Sequence, residues 1–249
     1  MMQWSYDTLL KWGTDELTAH DVENASLDAW YLLEHIYGIS RVDFLMRRSD
    51  RFDAAQMEKS TAYQALIRQR SEGCPVQYLT GSTEFMGLPF FVNEHVLIPR
   101  QDTEVLVETA LSMMKPGCRL LDMCTGSGCI VLSLAKLGTV TWGIGADISE
   151  EALEVARENA RYNGLDNVRF EAHNCFDHLR ELTDAKEKFD VVILDPPAFT
   201  KTRAAVEGAL RGYKEINLRG LKLTREGGFL VTCSCSQHVS PQQFHDVVC

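Results

Sequence analysis

The stretch Leu120-Leu121-Asp122-Met123-Cys124-Thr125-Gly126-Ser127-Gly128-Cys129-Ile130 decides how this chain folds. An apolar run ends in an acid, a turn with two glycines follows, and an apolar helical stretch begins. Glycine lets the backbone take φ > 0 and come close to a ligand. A strand that turns into a helix this way aims unpaired N–H groups at whatever sits above it. A second apolar run, Val140 to Ile148, ends in Gly145-Ala146-Asp147, which puts Asp147 at the tip of the neighbouring strand. A carboxylate there can accept both hydroxyls of a ribose. The pattern predicts a nucleoside site at the carboxyl edge of a parallel sheet.

Two phosphate-binding alternatives fit less well. The dinucleotide fingerprint needs a third glycine, where this chain has Val131, and a P-loop needs Gly-Lys-Ser/Thr, which is absent. An acid before the glycines repels phosphate and suits a cation. S-adenosylmethionine carries an ammonium and a sulfonium, so Asp122 favours it. The candidate cofactor residues are Asp122, Thr125, Gly126, Gly128, Asp147 and Ile148, with Asn174 and Cys175 after the third strand. The Asn174 amide oxygen can accept from an adenine amino group. Capping the following loop is its other reading.

The composition narrows the remaining choices. Of 249 residues 45% are hydrophobic, which is ordinary for a chain that buries a core. The net charge of −10 means that any nucleic-acid contact must come from a local basic patch. Met1-Met2-Gln3-Trp4-Ser5-Tyr6-Asp7 lacks the basic start and apolar core of a signal peptide, and no apolar run reaches membrane-spanning length. A cytoplasmic protein without membrane contact is expected. The eight cysteines form no C-x-x-C pair; Cys233-Ser234-Cys235 has no second half and no nearby histidine pair of zinc spacing. No metal is expected, and the thiols read as small buried hydrophobes.

Residues 1 to about 80 read as helices. Tyr6, Leu9, Leu10 and Trp12 recur at helical spacing, as do Ala29, Leu32, Leu33, Ile36 and Tyr37, ended by Gly38. Asp53 can cap a third helix holding Met57, and Tyr63, Leu66 and Ile67 form a further stripe. From 81 to 100, strand-like runs at Glu84-Phe85, Pro89 to Val92 and Val96 to Ile98 suggest a β-hairpin linker. Thr103 to Met114 reads as a helix capped by Asp102. Beyond it, strands at Arg119–Met123, Val140–Ile148, Val168–Ala172, Phe189–Leu194 and Gly228–Cys233 alternate with helices, one capped by Ser149 and ending near Asn163-Gly164. This rhythm predicts a doubly wound α/β sheet.

Two motifs on the same sheet edge can carry chemistry. After the fourth strand comes Asp195-Pro196-Pro197-Ala198-Phe199. Proline fixes φ and removes a donor, so this rim presents carbonyls and the Asp195 carboxylate to an N–H-bearing group. A plain strand-ending turn is the simpler reading. Cys233 and Cys235 close the fifth strand; a thiolate there can attack an electrophilic carbon, or both can be buried structural thiols. Between Phe199 and Arg225, Lys201, Arg203, Arg211, Lys214, Arg219, Lys222 and Arg225 outnumber Glu207 and Glu215, which suits phosphate or a solvated helix face.

Residues 1 to about 175 resemble the protein-(glutamine-N5) methyltransferases that modify peptide chain release factors. The resemblance rests on Pro75-Val76-Gln77-Tyr78-Leu79-Thr80-Gly81, Glu84-Phe85, Leu97-Ile98-Pro99-Arg100-Gln101-Asp102-Thr103-Glu104 and the loop from Asp122 to Gly128. It implies a Rossmann-like class I methyltransferase domain over 101–249 that binds S-adenosyl-L-methionine. It also implies a helical domain over 1–80 that docks the release factor. That family carries Asn-Pro-Pro-Tyr after the fourth strand, where this chain has Asp195-Pro196-Pro197-Ala198. Residues 189 to 249 instead look like ribosomal RNA (cytosine-5) methyltransferases, through Asp195 to Lys201, Gly212 to Asn217 and Thr232-Cys233-Ser234-Cys235-Ser236-Gln237-His238. There the resemblance makes Cys233 the nucleophile, although the RNA-binding domain usual at that family's N-terminus is missing.

The chain thus reads as a hybrid with a seam near residues 175 to 188. Both families continue into two further strands, so a sheet cut short after strand five is expected, with an exposed edge and lowered stability or a covering partner. The favoured function is methylation of a release-factor glutamine by Asp195, Pro196 and Pro197. The alternatives are ribosomal RNA cytosine-5 methylation through Cys233 and a cofactor-binding hybrid without turnover.

Overall fold

The structure is a computed structural model that describes residues 3–249. The chain divides after Ser82 into two compact units. The first is helical: α1 (Tyr6–Ala19), α2 (Ala25–Tyr37), α3 (Arg41–Arg47), α4 (Ala54–Ser71) and α5 (Val76–Thr80). Their ends follow local chemistry. Ser5 with Thr8, and Asp53 with Gln56, form reciprocal capping boxes, and Gly38 ends α2 in the left-handed conformation. The apolar stripes meet in one core that buries Leu9, Ala29, Leu32, Leu33, Tyr63 and Ile67. The stripe around Met57 and the one at Tyr63 to Ile67 belong to a single helix, α4.

The second unit is built on a five-stranded sheet in the order β5-β4-β3-β6-β7, every neighbouring pair parallel. A two-stranded hairpin comes first, β1 (Ser82–Phe85) and β2 (Leu88–Phe91), then α6 (Gln101–Met113). The sheet strands are β3 (Cys118–Met123), β4 (Val140–Asp147), β5 (Val168–Ala172), β6 (Phe189–Leu194) and β7 (Thr224–Thr232). Between and after them run α7 (Cys129–Leu137), α8 (Glu150–Tyr162), α9 (Cys175–Asp184), α10 (Val206–Leu223) and α11 (Pro241–Val248). Successive residues of a strand face opposite sides. Leu120, Val191 and Ile193 therefore join one core with α6, α7 and α8, while Leu121, Val192 and Leu194 join a second core with α9 and α10. Helices on both faces make the sheet doubly wound, a Rossmann-like fold.

Several boundaries differ from the sequence expectation. The hairpin is no free linker: Phe85 and Phe90 are fully buried in the core of the second unit. Asn159 of α8 holds its second strand, accepting from Phe91 N at 2.6 Å and donating to Phe91 O at 3.1 Å. Val96 to Ile98 form no strand; Val96 is buried and Leu97 is exposed in an irregular crossing segment. Asp102 does not cap α6, because that helix starts two residues earlier than expected at Gln101, with Arg100 at the cap position. Glu104, in the same first turn, instead accepts from Met86 N at 2.6 Å and steadies the hairpin turn. The last sheet strand ends at Thr232, so Cys233 and Cys235 sit beyond it.

Candidate functional site

The glycine bend lies where β3 gives way to α7. Cys124, Gly126 and Gly128 all have positive φ, at 64°, 53° and 78°. A Cβ at Gly126 would meet no atom within 4 Å, so only its backbone conformation calls for glycine. A Cβ at Gly128 would press on Leu132 and Ala156 at 3.0 and 3.2 Å, so there glycine also serves close packing. The bend is tied to β4 by two bonds: Thr125 N donates to Ala146 O at 3.0 Å, and Gly126 N donates to Asp147 Oδ2 at 2.9 Å. Asp147 Oδ1 accepts from Ser149 N at 3.1 Å. Asp147 is thus a loop organiser, and each of its oxygens keeps a further lone pair for a ligand.

Above the bend opens a cavity of about 500 Å³. Thr125, Gly126, Asp147 and Ile148 line one side of it, Asn174 and Cys175 another, and Asp195, Pro196 and Pro197 a third. The structure thus brings the motifs after β3, β4, β5 and β6 to one chamber. Asp122 and Gly128 are not in its wall but directly behind it. Asp122 is 1% exposed and its Oδ2 accepts from Thr125 Oγ1 at 2.6 Å, while its Oδ1 is buried with no well-formed hydrogen bond. Burial pushes the Asp122 carboxyl up to about 7, with the Asp195 and Asp147 charges adding to it and the Thr125 bond opposing. The Asn174 amide oxygen caps α9 by accepting from Phe176 N at 3.0 Å, so the capping reading is the one the loop adopts.

At the β6 edge, the Cys233 thiol stands beside the Asp195 carboxylate. Burial raises Asp195 above the ordinary carboxylate range. Burial and the Asp195 charge push Cys233 up to about 12, so its resting form is the thiol. Cys235, not Cys233, reaches the cavity wall. Cys124 and Cys175 stand side by side at the bend, and their contact together with burial raises the Cys124 thiol above its ordinary range. Phe199 also lines the cavity and stacks on Tyr213 at 4.5 Å, an aromatic one position beyond Ala198.

Residues beyond the sequence-derived set complete the chamber. The crossing segment from His95 to Arg100, with Thr103, closes one wall and brings the Arg100 cation to it. The signal was present as the motif Leu97-Ile98-Pro99-Arg100, but no periodicity showed where that motif folds. The basic stretch is partly neutralised: Arg211, Arg219 and Arg225 face Glu207, Glu215 and Asp190 at 4.0, 3.6 and 3.1 Å. A glycine cradle, two lining carboxylates and an unpaired buried oxygen behind them fit a cationic nucleoside better than a polyphosphate.

The comparisons agree with this chemistry. A family model described as a methyltransferase domain matches residues 114–247, and one described as the PrmC N-terminal domain matches residues 8–81. A crystal structure of a provisionally named methyltransferase complexed with SAH shares the fold, with a TM-score of 0.59 and 15% identity over 78% of this chain and 56% of that one. Fold and family model together define a Rossmann-like methyltransferase. The release factor glutamine methyltransferase of Geobacter sulfurreducens is 34% identical over 213 residues, 85% of this chain and 72% of the relative. That of Agrobacterium fabrum is 38% identical over 189 residues, 73% of this chain, which spans 62% of the relative's length. The chain belongs to the release factor glutamine methyltransferase family. A protein of Methanocaldococcus jannaschii, provisionally named a ribosomal RNA large subunit methyltransferase, is 42% identical over 137 residues, 54% of this chain and 34% of that protein. Among the described residues no helix is long and apolar enough to cross a membrane.

Proposed function

We propose that the chain transfers a methyl group from S-adenosyl-L-methionine to the side-chain amide nitrogen of a glutamine in a peptide chain release factor. One observation carries the reading: the Asp195-Pro196-Pro197 rim opens into the same chamber as the glycine bend and Asp147. Asp147 has lone pairs for the ribose hydroxyls, and the acids around the bend suit the donor's positive charges. When bound, the donor supplies an electrophilic methyl on its sulfonium. An amide nitrogen is a weak nucleophile, so the protein must align it and draw on its N–H bonds. The Asp195 carboxylate and the Pro196 carbonyl are two acceptors at the right edge for both amide hydrogens. Phe199 takes the aromatic wall that Ala198 lacks. The reading carries a cytoplasmic setting with it, and the domain roles follow: docking by residues 1–80, chemistry within 101–249.

The Cys233 thiol beside the Asp195 carboxylate supports a second reading, methylation of cytosine C5 in ribosomal RNA. There the thiol adds to C6 once Asp195 draws its proton, and Asp195 reads the base edge. The overall charge of −10 stands against it. Incubation with labelled S-adenosylmethionine and either release factor or ribosomal RNA separates the two. Label is expected in the release factor, with Asp195→Ala abolishing it. RNA label that vanishes in Cys233→Ala would replace the first reading with the second. Donor bound without label in either acceptor would leave a binding protein without turnover.

A further inference from the structure

We propose that Glu171, His173 and His178 form a binding site for one divalent transition-metal ion, with Zn²⁺ the best match to their donors. The three side chains meet where β5 ends and α9 begins, each offering a ligand atom within 4.8 Å of the others. His178 anchors the cluster. Its side chain is only 5% exposed, and although its ring nitrogens face the carboxylates of Glu171 and Glu181, neither makes a well-formed hydrogen bond. A buried imidazole with both nitrogens unsatisfied is costly unless something else takes up its lone pair.

Glu171 already stands where a fellow ligand of His178 would, while His173 must rotate out of its stack to join them. His178 Nε2 lies 3.3 Å from Glu171 Oε2, close to the roughly 3.4 Å that separates two donors of a tetrahedral zinc site. On the other side of the ring, Glu181 Oε2 lies 3.7 Å from His178 Nδ1, the position from which a carboxylate holds a ligating imidazole in one tautomer. The second oxygen of Glu171 is held by Arg169 Nε at 3.0 Å, so the carboxylate is oriented from behind. His173 stacks on His178 with ring centres 4.2 Å apart and planes 7° from parallel. Its side chain is 41% exposed, which leaves it room to turn its lone pair toward the same point. Two nitrogens and one oxygen leave a fourth position open. Because His173 also lines the chamber, an ion here would fix the turn that carries Asn174 and Cys175.

The probe is Co²⁺, added to the chelator-treated full chain and followed by absorption. Thiolate ligation gives a strong near-ultraviolet charge-transfer band, which distinguishes the eight cysteines from this site. The expected result is saturable binding of one ion per chain, with visible d–d bands, no thiolate band, and displacement by Zn²⁺. Glu171→Gln and His173→Ala each weaken it at least about tenfold, the loss that removing even a supporting partner of a metal ligand causes. Both residues are more exposed than His178, so these variants carry the test should His178→Ala fail to fold. Far-ultraviolet circular dichroism checks that they fold. Absence of saturable binding, a thiolate band, or parental affinity in both folded variants would overturn the site.

Discussion

Asp122 lies buried behind the chamber wall, beside the lining acids Asp147 and Asp195. The carboxyl of this buried acid stands near 7, well above an ordinary aspartate, so the folded state holds its proton more tightly than the unfolded chain does. Its contribution to the stability of the ligand-free fold therefore declines as pH rises from about 4 to about 7. A cationic donor reverses the preference, because it favours the ionised acid and binding then releases a proton. Donor affinity is expected to rise with pH up to about 7 and level off above it, by at most about tenfold per pH unit. Calorimetry at several pH values checks this. S-adenosylhomocysteine, which lacks the sulfonium charge, shows a shallower slope, and Asp122→Asn flattens the profile. An equal slope in that variant would remove Asp122 from the account. Asp147 acts more directly. Asp147→Ala loses charge-assisted hydrogen bonds worth ~1.5–3 kcal/mol each and also frees Gly126 N and Ser149 N. Donor affinity should fall about tenfold to a hundredfold, and unchanged affinity would exclude the ribose role.

Among the elements, the hairpin, the glycine bend and α8 behave as one assembly because of Asn159. Its amide bonds Phe91 N, Phe91 O and Ser127 O from a fully buried position. Asn159→Ala strands three backbone groups in the interior, and each unsatisfied group costs roughly 1–3 kcal/mol. A loss of about 2–4 kcal/mol in denaturant unfolding is expected, with weakened donor binding because Ser127 belongs to the bend. A loss below ~0.5 kcal/mol, the scale of a surface change, would show that the amide does not hold these elements together. No sequence pattern announces such a residue: Asn159 reads as one polar position on an amphipathic helix. The five strands, by contrast, were legible. β3 to β7 are short runs of apolar and β-branched residues between glycines and caps, and the bend after Asp122 declares the direction of the chain. What escaped was whatever depends on contacts distant in the chain. Val96 to Ile98 has strand composition, but among the described residues no strand pairs with it. The two phenylalanines of the hairpin face a core the local sequence does not contain. At the site, the lining residues that end strands were readable, while Arg100 depends on where segments cross; the cluster of Glu171, His173 and His178 is local, but it straddles a strand, a turn and a helix, so no single periodicity gathers it.

For the whole molecule, the decisive property is that each of the two units has its own core, that of the second unit lying on both faces of its sheet. Trp4, Trp12 and Trp30 belong to the helical unit, and Trp142 alone to the unit that holds the chamber. The match to a release factor glutamine methyltransferase over 85% of the chain extends well beyond the helical unit. Tryptophan fluorescence therefore reports mainly the first unit, and calorimetry reports both. A ligand that binds only the native chamber stabilises it by about 2.7 kcal/mol at a hundred times its Kd, which raises the midpoint of a unit this size by about 5–10 °C. Saturating S-adenosylmethionine should move one calorimetric transition upward by that amount and leave the fluorescence midpoint where it was. If fluorescence and heat shift together, the two cores unfold as one cooperative block, and the helical unit senses the donor. A fluorescence midpoint that stays fixed makes the helical unit independent of donor binding, so substitutions in α1 to α5 would leave donor affinity unchanged.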